Sequence, residues 1–198
     1  MECVVKTILS LCDYTGNWPR PYREAGYEVI QVDLQHGWDV LDLAGNTDQL
    51  PPVHGVLAAP PCDHFTSSGA RWWKQKDEDG RTKQGLEIVD ACLSIINQVK
   101  PVWWALENPI GRLPSLRPDT LGQPNFYFDP CDYGDPYTKR TCLWGLFVAP
   151  LPLFIGGDQS VYPHEGSKMW RIPPSPTRKQ KRSATPLGFA RAFFQANP

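Results

Sequence analysis

One repeated order constrains this chain more than any other feature: a short apolar run, a polar cluster at its end, then a helical stretch. Val4–Leu11 runs into Cys12-Asp13-Tyr14-Thr15-Gly16-Asn17, and Pro19–Ala25 then fits a short helix stopped by Gly26. Tyr27–Val32 reads as a second strand ending at Asp33, and Gly55–Ala58 as a third running into Pro60-Pro61-Cys62. Between Thr82 and Val99 the residues Leu86, Val89, Cys92, Leu93 and Ile96 recur at helical spacing and mark one apolar face. Val102–Leu106 is a further apolar strand, ending at Glu107-Asn108-Pro109. Thr141–Val148 reads as another strand and Pro186–Gln195 as a terminal helix. The alternation predicts an α/β fold with a mostly parallel open sheet and helices on both faces. Such sheets bind ligands outside the carboxyl ends of their strands.

Composition narrows the class without fixing the function. A 198-residue chain with 41% hydrophobic residues can form one domain with a substantial core. No run approaches the roughly 20 apolar residues that a membrane helix needs. The amino terminus shows no basic region or cleavage site of a signal peptide, so a cytoplasmic location is expected. The six cysteines form no Cys-x-x-Cys pair, which points to reduced thiols and to no metal site. With a net charge of −1, any nucleic-acid surface must come from local clustering, and Arg178-Lys179-Gln180-Lys181-Arg182 is such a cluster. The 21 prolines, 16 glycines and eight tryptophans predict structured loops carrying aromatic side chains.

Three strand ends carry the candidate chemistry. In the first, Asp13, Tyr14, Thr15, Gly16 and Asn17 form a loop over which a cofactor can approach backbone. Asp33, ending the next strand, can accept hydrogen bonds from a ribose, although an ordinary turn and a solvated carboxylate would read the same way. In the second, Pro60 and Pro61 fix the backbone just before the Cys62 thiol, and Phe65-Thr66-Ser67-Ser68-Gly69 follows as a mobile loop. A free thiol has a pKa near 8.5, so a nucleophilic Cys62 needs activation by its surroundings, whereas most solitary cysteines are inert core residues. In the third, Glu107 leaves a hydrophobic strand, where its carboxyl can hold a proton, or where the turn can be purely structural.

Taken together these segments resemble the cytosine-5 DNA methyltransferases. Pro60-Pro61-Cys62 is similar to that family's Pro-Cys nucleophile loop. Glu107-Asn108-Pro109, about 45 residues later, is similar to its Glu-Asn-Val strand end. Asp132-Tyr133-Gly134-Asp135-Pro136-Tyr137-Thr138-Lys139-Arg140 resembles the segment Asp-Tyr-Gly-x-Pro-Gln-x-Arg-x-Arg. Asp39-Val40 stands where the family has an adenine-contacting Asp-Ile pair, and Ser183-Ala184-Thr185-Pro186 resembles its closing cofactor motif. The motifs occur in family order over nearly the whole chain.

The resemblance implies a Rossmann-like fold that binds S-adenosylmethionine and methylates carbon 5 of a cytosine flipped out of DNA. It implies Cys62 as the covalent nucleophile, Glu107 at ring nitrogen 3, and Lys139 or Arg140 at the base oxygen or a nearby phosphate. Asp13, Tyr14, Thr15, Gly16, Asn17, Asp33, Asp39, Val40, Pro60, Ser183 and Ala184 are then expected at the cofactor. Thr66, Ser67, Arg71, Trp72, Arg178, Lys179, Lys181 and Arg182 are expected at DNA. The loop Phe65–Trp73 is expected to close on the base, with Arg71, Trp72 or Trp73 filling the vacated space or stacking, unless the tryptophans pack against the domain.

The chain also departs from that pattern. One glycine remains in the first loop, Asp63 follows the nucleophile where the family has Gln, and Lys139 and Arg140 are the only basic residues of their segment. About 30 residues separate the Thr141–Val148 strand from the closing motif, where the family places a large recognition domain. The chain is therefore expected to be one catalytic domain over 1–198, monomeric, with a short loop-rich insert at 149–182 that contacts one or two bases beside the target cytosine. This economy suits a phage or another mobile element, in a bacterial or phage-infected cell. RNA or a free nucleotide as substrate keeps the same chemistry. A non-catalytic nucleic-acid-binding module is the reading of a different class, and it has no need for Cys62 and Glu107 together.

Overall fold

The computed structural model describes residues 5–153, 166–167 and 172–198, without the Lys179 side chain. Much of the expected insert at 149–182, the position of Cys3 and the side chain of Lys179 therefore lie outside the described residues. The chain forms strand β1 (Thr7–Leu11), helix α1 (Arg20–Glu24), strand β2 (Glu28–Val32), helix α2 (Val40–Ala44) and strand β3 (Val53–Ala58). Helix α3 (Trp73–Glu78), helix α4 (Arg81–Val99), strand β4 (Trp103–Pro109), helix α5 (Leu113–Leu116) and strand β5 (Phe126–Phe128) follow. Strand β6 (Thr141–Leu146) and helices α6 (Arg178–Ser183) and α7 (Leu187–Ala196) complete it.

The six strands form one sheet in the order β2-β1-β3-β4-β6-β5. The expected mostly parallel pairing holds in part, in a mixed sheet: β2, β1, β3 and β4 pair in parallel, whereas β4–β6 and β5–β6 pair antiparallel. A single reversed strand, β6, produces both antiparallel pairings, because β5 again runs in the direction of β4. Register sets the functional edge. Leu11 pairs with Val32 and with Ala58, and Ala58 pairs with Leu106. Cys12, Asp33, Ala59 and Glu107 therefore come next in line at one edge of the sheet. Reversed β6 pairs Thr141 with Pro109, so it brings its beginning to that edge, and Lys139 and Arg140 arrive there from the opposite direction.

Alternation along the strands divides the core between the two faces. Leu9, Leu11, Val56, Leu106 and Trp144 pack with Leu86, Val89, Cys92, Ile95 and Ile96 of α4 and with Val40 and Leu43 of α2. Ile8, Leu57, Trp103, Ala105 and Leu143 face the other way, against Tyr22 of α1 and Phe189 and Phe193 of α7. Phe128 of β5 stacks on Phe189 with ring centres 3.7 Å apart, which fixes the short edge strand to the terminal helix. Fully burying one such side chain contributes about 1.5–3 kcal/mol.

Two glycines let the Cys62 loop reach the sheet edge. Phe65 is fully buried and anchors the loop between α4 and the end of β4. A Cβ on Gly85 would lie 2.8 Å from the His64 ring, and one on Gly111 only 1.9 Å from the Phe65 carbonyl oxygen. Thr66 and Gly111 form an isolated antiparallel bridge there. Gly111→Ala is accordingly expected to displace the backbone at Phe65 and cost about 1–3 kcal/mol. Thermal unfolding of the variant checks this, and an unchanged midpoint would show that the loop is not held at this point.

Candidate active site

The first loop is built around Asp13. Its buried carboxylate accepts hydrogen bonds from Gly16 N (3.0 Å), Thr15 Oγ1 (2.8 Å) and Trp18 N (3.3 Å). Burial raises its pKa, and those three donors oppose the shift. Gly16 has φ +63°, and a Cβ there would lie 2.9 Å from the Gln31 carboxamide oxygen, so glycine fits the turn with the least strain. Asn17 Nδ2 donates to Thr185 O (3.2 Å), joining the loop to the expected closing motif. Asp33 and Asp39 each cap the next turn, accepting from Gln35 N and Leu41 N at 2.9 Å.

Around these strand ends lies a cavity of about 490 Å³, a size ordinary for cofactor sites. Asp13, Tyr14, Thr15, Asp33, Asp39, Val40, Pro60 and Ser183 reach its wall; Gly16, Asn17 and Ala184, expected there, do not. Gly16 and Asn17 shape the loop instead, and Ala184 ends α6 by donating its N–H to Gln180 O. Leu34, Trp38 and Leu41 also line the cavity and are largely exposed. Carboxylates beside exposed apolar side chains suit a nucleoside, with the carboxylates toward sugar hydroxyls and the apolar groups toward a flat base. Trp38 carries no sequence signal of its own beyond its proximity to Asp39.

A second cavity of about 910 Å³ adjoins the first. Of the residues expected at DNA, Thr66, Arg71, Trp72, Arg178 and Arg182 line it, while Ser67 and Lys181 do not. Lys76, unremarkable in the sequence, also faces it. Cys62, Asp63, Pro109, Lys139, Pro176 and Ser183 border both cavities. Glu107 faces the smaller cavity and Arg140 the larger.

Cys62 is held by its neighbours' backbone. Phe65 N and Thr66 N both donate to Cys62 O, at 3.0 and 3.1 Å. Asn108, fully buried, donates from Nδ2 to Pro60 O at 3.1 Å and so ties the thiol loop to the end of β4. Arg112 clamps the loop from behind. Its Nε donates to His64 O (3.2 Å), its terminal nitrogens grip Asp77 at 2.8 and 2.7 Å, and its guanidinium lies 4.7 Å from the Trp73 ring centre. This pairing holds the Asp77 carboxyl down at about 2. The segment expected to be a mobile loop is in fact a 3₁₀ turn, Ser67–Trp72, leading into α3. Trp73 packs under Arg112, and Trp72 remains 50% exposed. Asn108 and Arg112 are positioning residues that sequence reasoning misses, because their roles depend on contacts about 48 residues away in the chain.

The electrostatic centre is the pair Lys139–Glu107, with Nζ 3.9 Å from Oε1 and side chains only 12% and 10% exposed. Burial raises the Glu107 carboxyl and Lys139 partly offsets it. Burial also pushes the Cys62 thiol up to about 11, with Lys139 opposing and Glu107 and Asp63 reinforcing. Lys139 is thus a cation whose charge acts on both Cys62 and Glu107. Arg140 turns outward, 3.4 Å from Asp129 and over the Tyr127 ring at 5.5 Å.

No profile of a known family matches the chain, and neither does any curated protein. Among solved structures it is similar to a prophage-encoded E. coli protein provisionally described as a DNA modification methyltransferase. The two are 15% identical with a TM-score of 0.47, over 71% of this chain and 46% of that one. The chain thus spans about half the length of that structure. Among the described residues there is no cluster of three or more His, Cys, Asp or Glu able to hold a metal, and no helix is long and apolar enough to cross a membrane.

Proposed function

We propose that the chain is a DNA cytosine-5 methyltransferase that uses S-adenosylmethionine. The observation that carries the reading is the position of Cys62 on the wall shared by a nucleoside-sized cavity and a basic one, with Glu107 and Lys139 beside it. Asp33, Asp39, Trp38 and the backbone of the Asp13 loop would hold the methyl donor. S-adenosylmethionine, when bound, supplies an electrophilic methyl group on a positively charged sulfur.

The protein's own groups activate the base. Cys62 forms a bond to carbon 6 of cytosine, which turns carbon 5 from a poor nucleophile into the end of an enamine. Glu107, whose carboxyl pKa burial raises, gives its proton to ring nitrogen 3 and limits the charge that develops on the ring. Lys139 holds the Glu107 carboxylate that results and favours the Cys62 thiolate. Once carbon 5 is methylated, its proton passes to water, Cys62 leaves as the thiolate, and nitrogen 3 returns its proton to Glu107, which restores the aromatic ring.

Incubation with labelled S-adenosylmethionine and DNA, followed by nucleoside mass spectrometry, tests the reading. Label in 5-methylcytosine is the expected result. Label in an exocyclic amine, or no transfer to DNA at all, would overturn it.

A further inference from the structure

We infer that the larger cavity takes DNA as a single strand rather than as an intact duplex, an inference that rests on the assignment of that cavity to the nucleic-acid substrate. The cavity walls carry six cations, Arg71, Lys76, Lys139, Arg140, Arg178 and Arg182, against one carboxylate, Asp63. Among the described residues, no ion pair engages Arg71, Arg178 or Arg182. Arg178 Nε is withdrawn from solvent without a hydrogen-bond partner, a cost that a phosphate oxygen would remove. The cavity thus tracks a phosphate backbone.

Its aromatic wall is built for a base face. Trp72 is half exposed on the cavity wall, and the Arg71 guanidinium lies over its ring at 5.2 Å. A wedge that intercalates into a duplex needs both ring faces open; here one face is covered and the other remains to stack on a base. A positive groove combined with an aromatic platform is the arrangement that binds single strands irrespective of sequence. Base edges in the major groove of a duplex are commonly read by an inserted helix or two-stranded ribbon. Among the described residues, the helices at this cavity are α3 and α6, six residues each, about 9 Å long. The described residues offer a single strand a channel and bring no long helix or two-stranded ribbon to this cavity for a major groove.

Fluorescence anisotropy with the full-length protein tests this on a labelled oligonucleotide of one sequence, as single-stranded DNA, matched duplex and single-stranded RNA. Single-stranded DNA is expected to bind at least about tenfold more tightly than the duplex, since the duplex must be opened at the protein's expense. Trp72→Ala should weaken strand binding about 5- to 150-fold. The double substitution Arg178→Ala and Arg182→Ala should reduce the slope of log affinity against log salt by about 1.4. Equal or tighter binding of the matched duplex overturns the inference, as does a tenfold preference for RNA. Methyl transfer measured on the same oligonucleotides separates the two levels. Tight strand binding without 5-methylcytosine leaves this inference standing and removes the catalytic assignment; 5-methylcytosine formed faster on matched duplex does the reverse.

Discussion

Cys62→Ser abolishes covalent capture of an oligonucleotide carrying 5-fluorocytosine and lowers methyl transfer by about 10⁴-fold or more. The fluorine on carbon 5 cannot leave as a proton does, so an adduct through Cys62 accumulates once the methyl group has been transferred. A serine hydroxyl ionises far less readily than a thiol and is the poorer nucleophile near neutral pH. The substitution leaves the loop intact, because Cys62 is held through its backbone oxygen by Phe65 N and Thr66 N. Denaturing electrophoresis reads capture directly, and capture by the serine variant at the original rate would refute the assignment of the nucleophile.

Glu107→Gln is the second large effect, an expected loss of about 10²- to 10⁴-fold in rate, and its pH dependence is more diagnostic than its size. The reactive form needs Cys62 without its proton and Glu107 with one. Both groups line one cavity, and burial raises both, the thiol to about 11. Above the raised Glu107 pKa and below about 11, the prevailing form has the thiol protonated and the carboxylate ionised. The reactive form then differs only in which of the two groups holds the proton. kcat/KM is therefore flat across that window, and it falls about tenfold per pH unit below it, where an extra proton must leave. In Glu107→Gln only the thiol titrates, so the rate should climb about tenfold per unit without a plateau until Cys62 itself ionises. A variant that keeps the plateau would remove Glu107 from the proton's path. One that unfolds on heating well below the wild type would make its role structural.

The elements with strong periodicity are legible from the residues alone. Helix α4 declares itself through the spacing of Leu86, Val89, Cys92 and Ile96, and β1, β2, β3 and β4 through apolar runs ending in polar clusters. Strand β6 is legible as a strand but not in its direction, since alternation is the same read either way. Strand β5, three residues long, and helix α6, a charged run that gains its place from the cavities it borders, carry too little pattern to be seen. The site divides in the same way. Cys62, Glu107 and Lys139 are visible as chemistry at strand ends. Asp13 is expected to face a cofactor, yet its carboxylate is engaged by its own loop. Asn108 and Arg112 escape notice because a hydrogen bond to a distant carbonyl leaves no local signature. The choice between Lys139 and Arg140 depends on the register of β6, which turns one toward Glu107 and the other toward Asp129.

Helix α6 has a bearing on inhibitor chemistry. Gln180 and Ser183 border the smaller cavity, while Arg178, Arg182 and again Ser183 border the larger, and Gln180 Nε2 reaches Gln35 Oε1 at 3.1 Å across the opening. Six residues thus form a partition between two compartments that also meet at Cys62 and Lys139. A single molecule with an adenosine-like head and a pyrimidine-like tail could occupy both compartments through a linker only long enough to pass that partition. Tethering makes the second contact intramolecular, and a short linker places it at an effective concentration of about millimolar or above. Two weak fragments, neither useful alone, would become one tight ligand through the thinness of a wall.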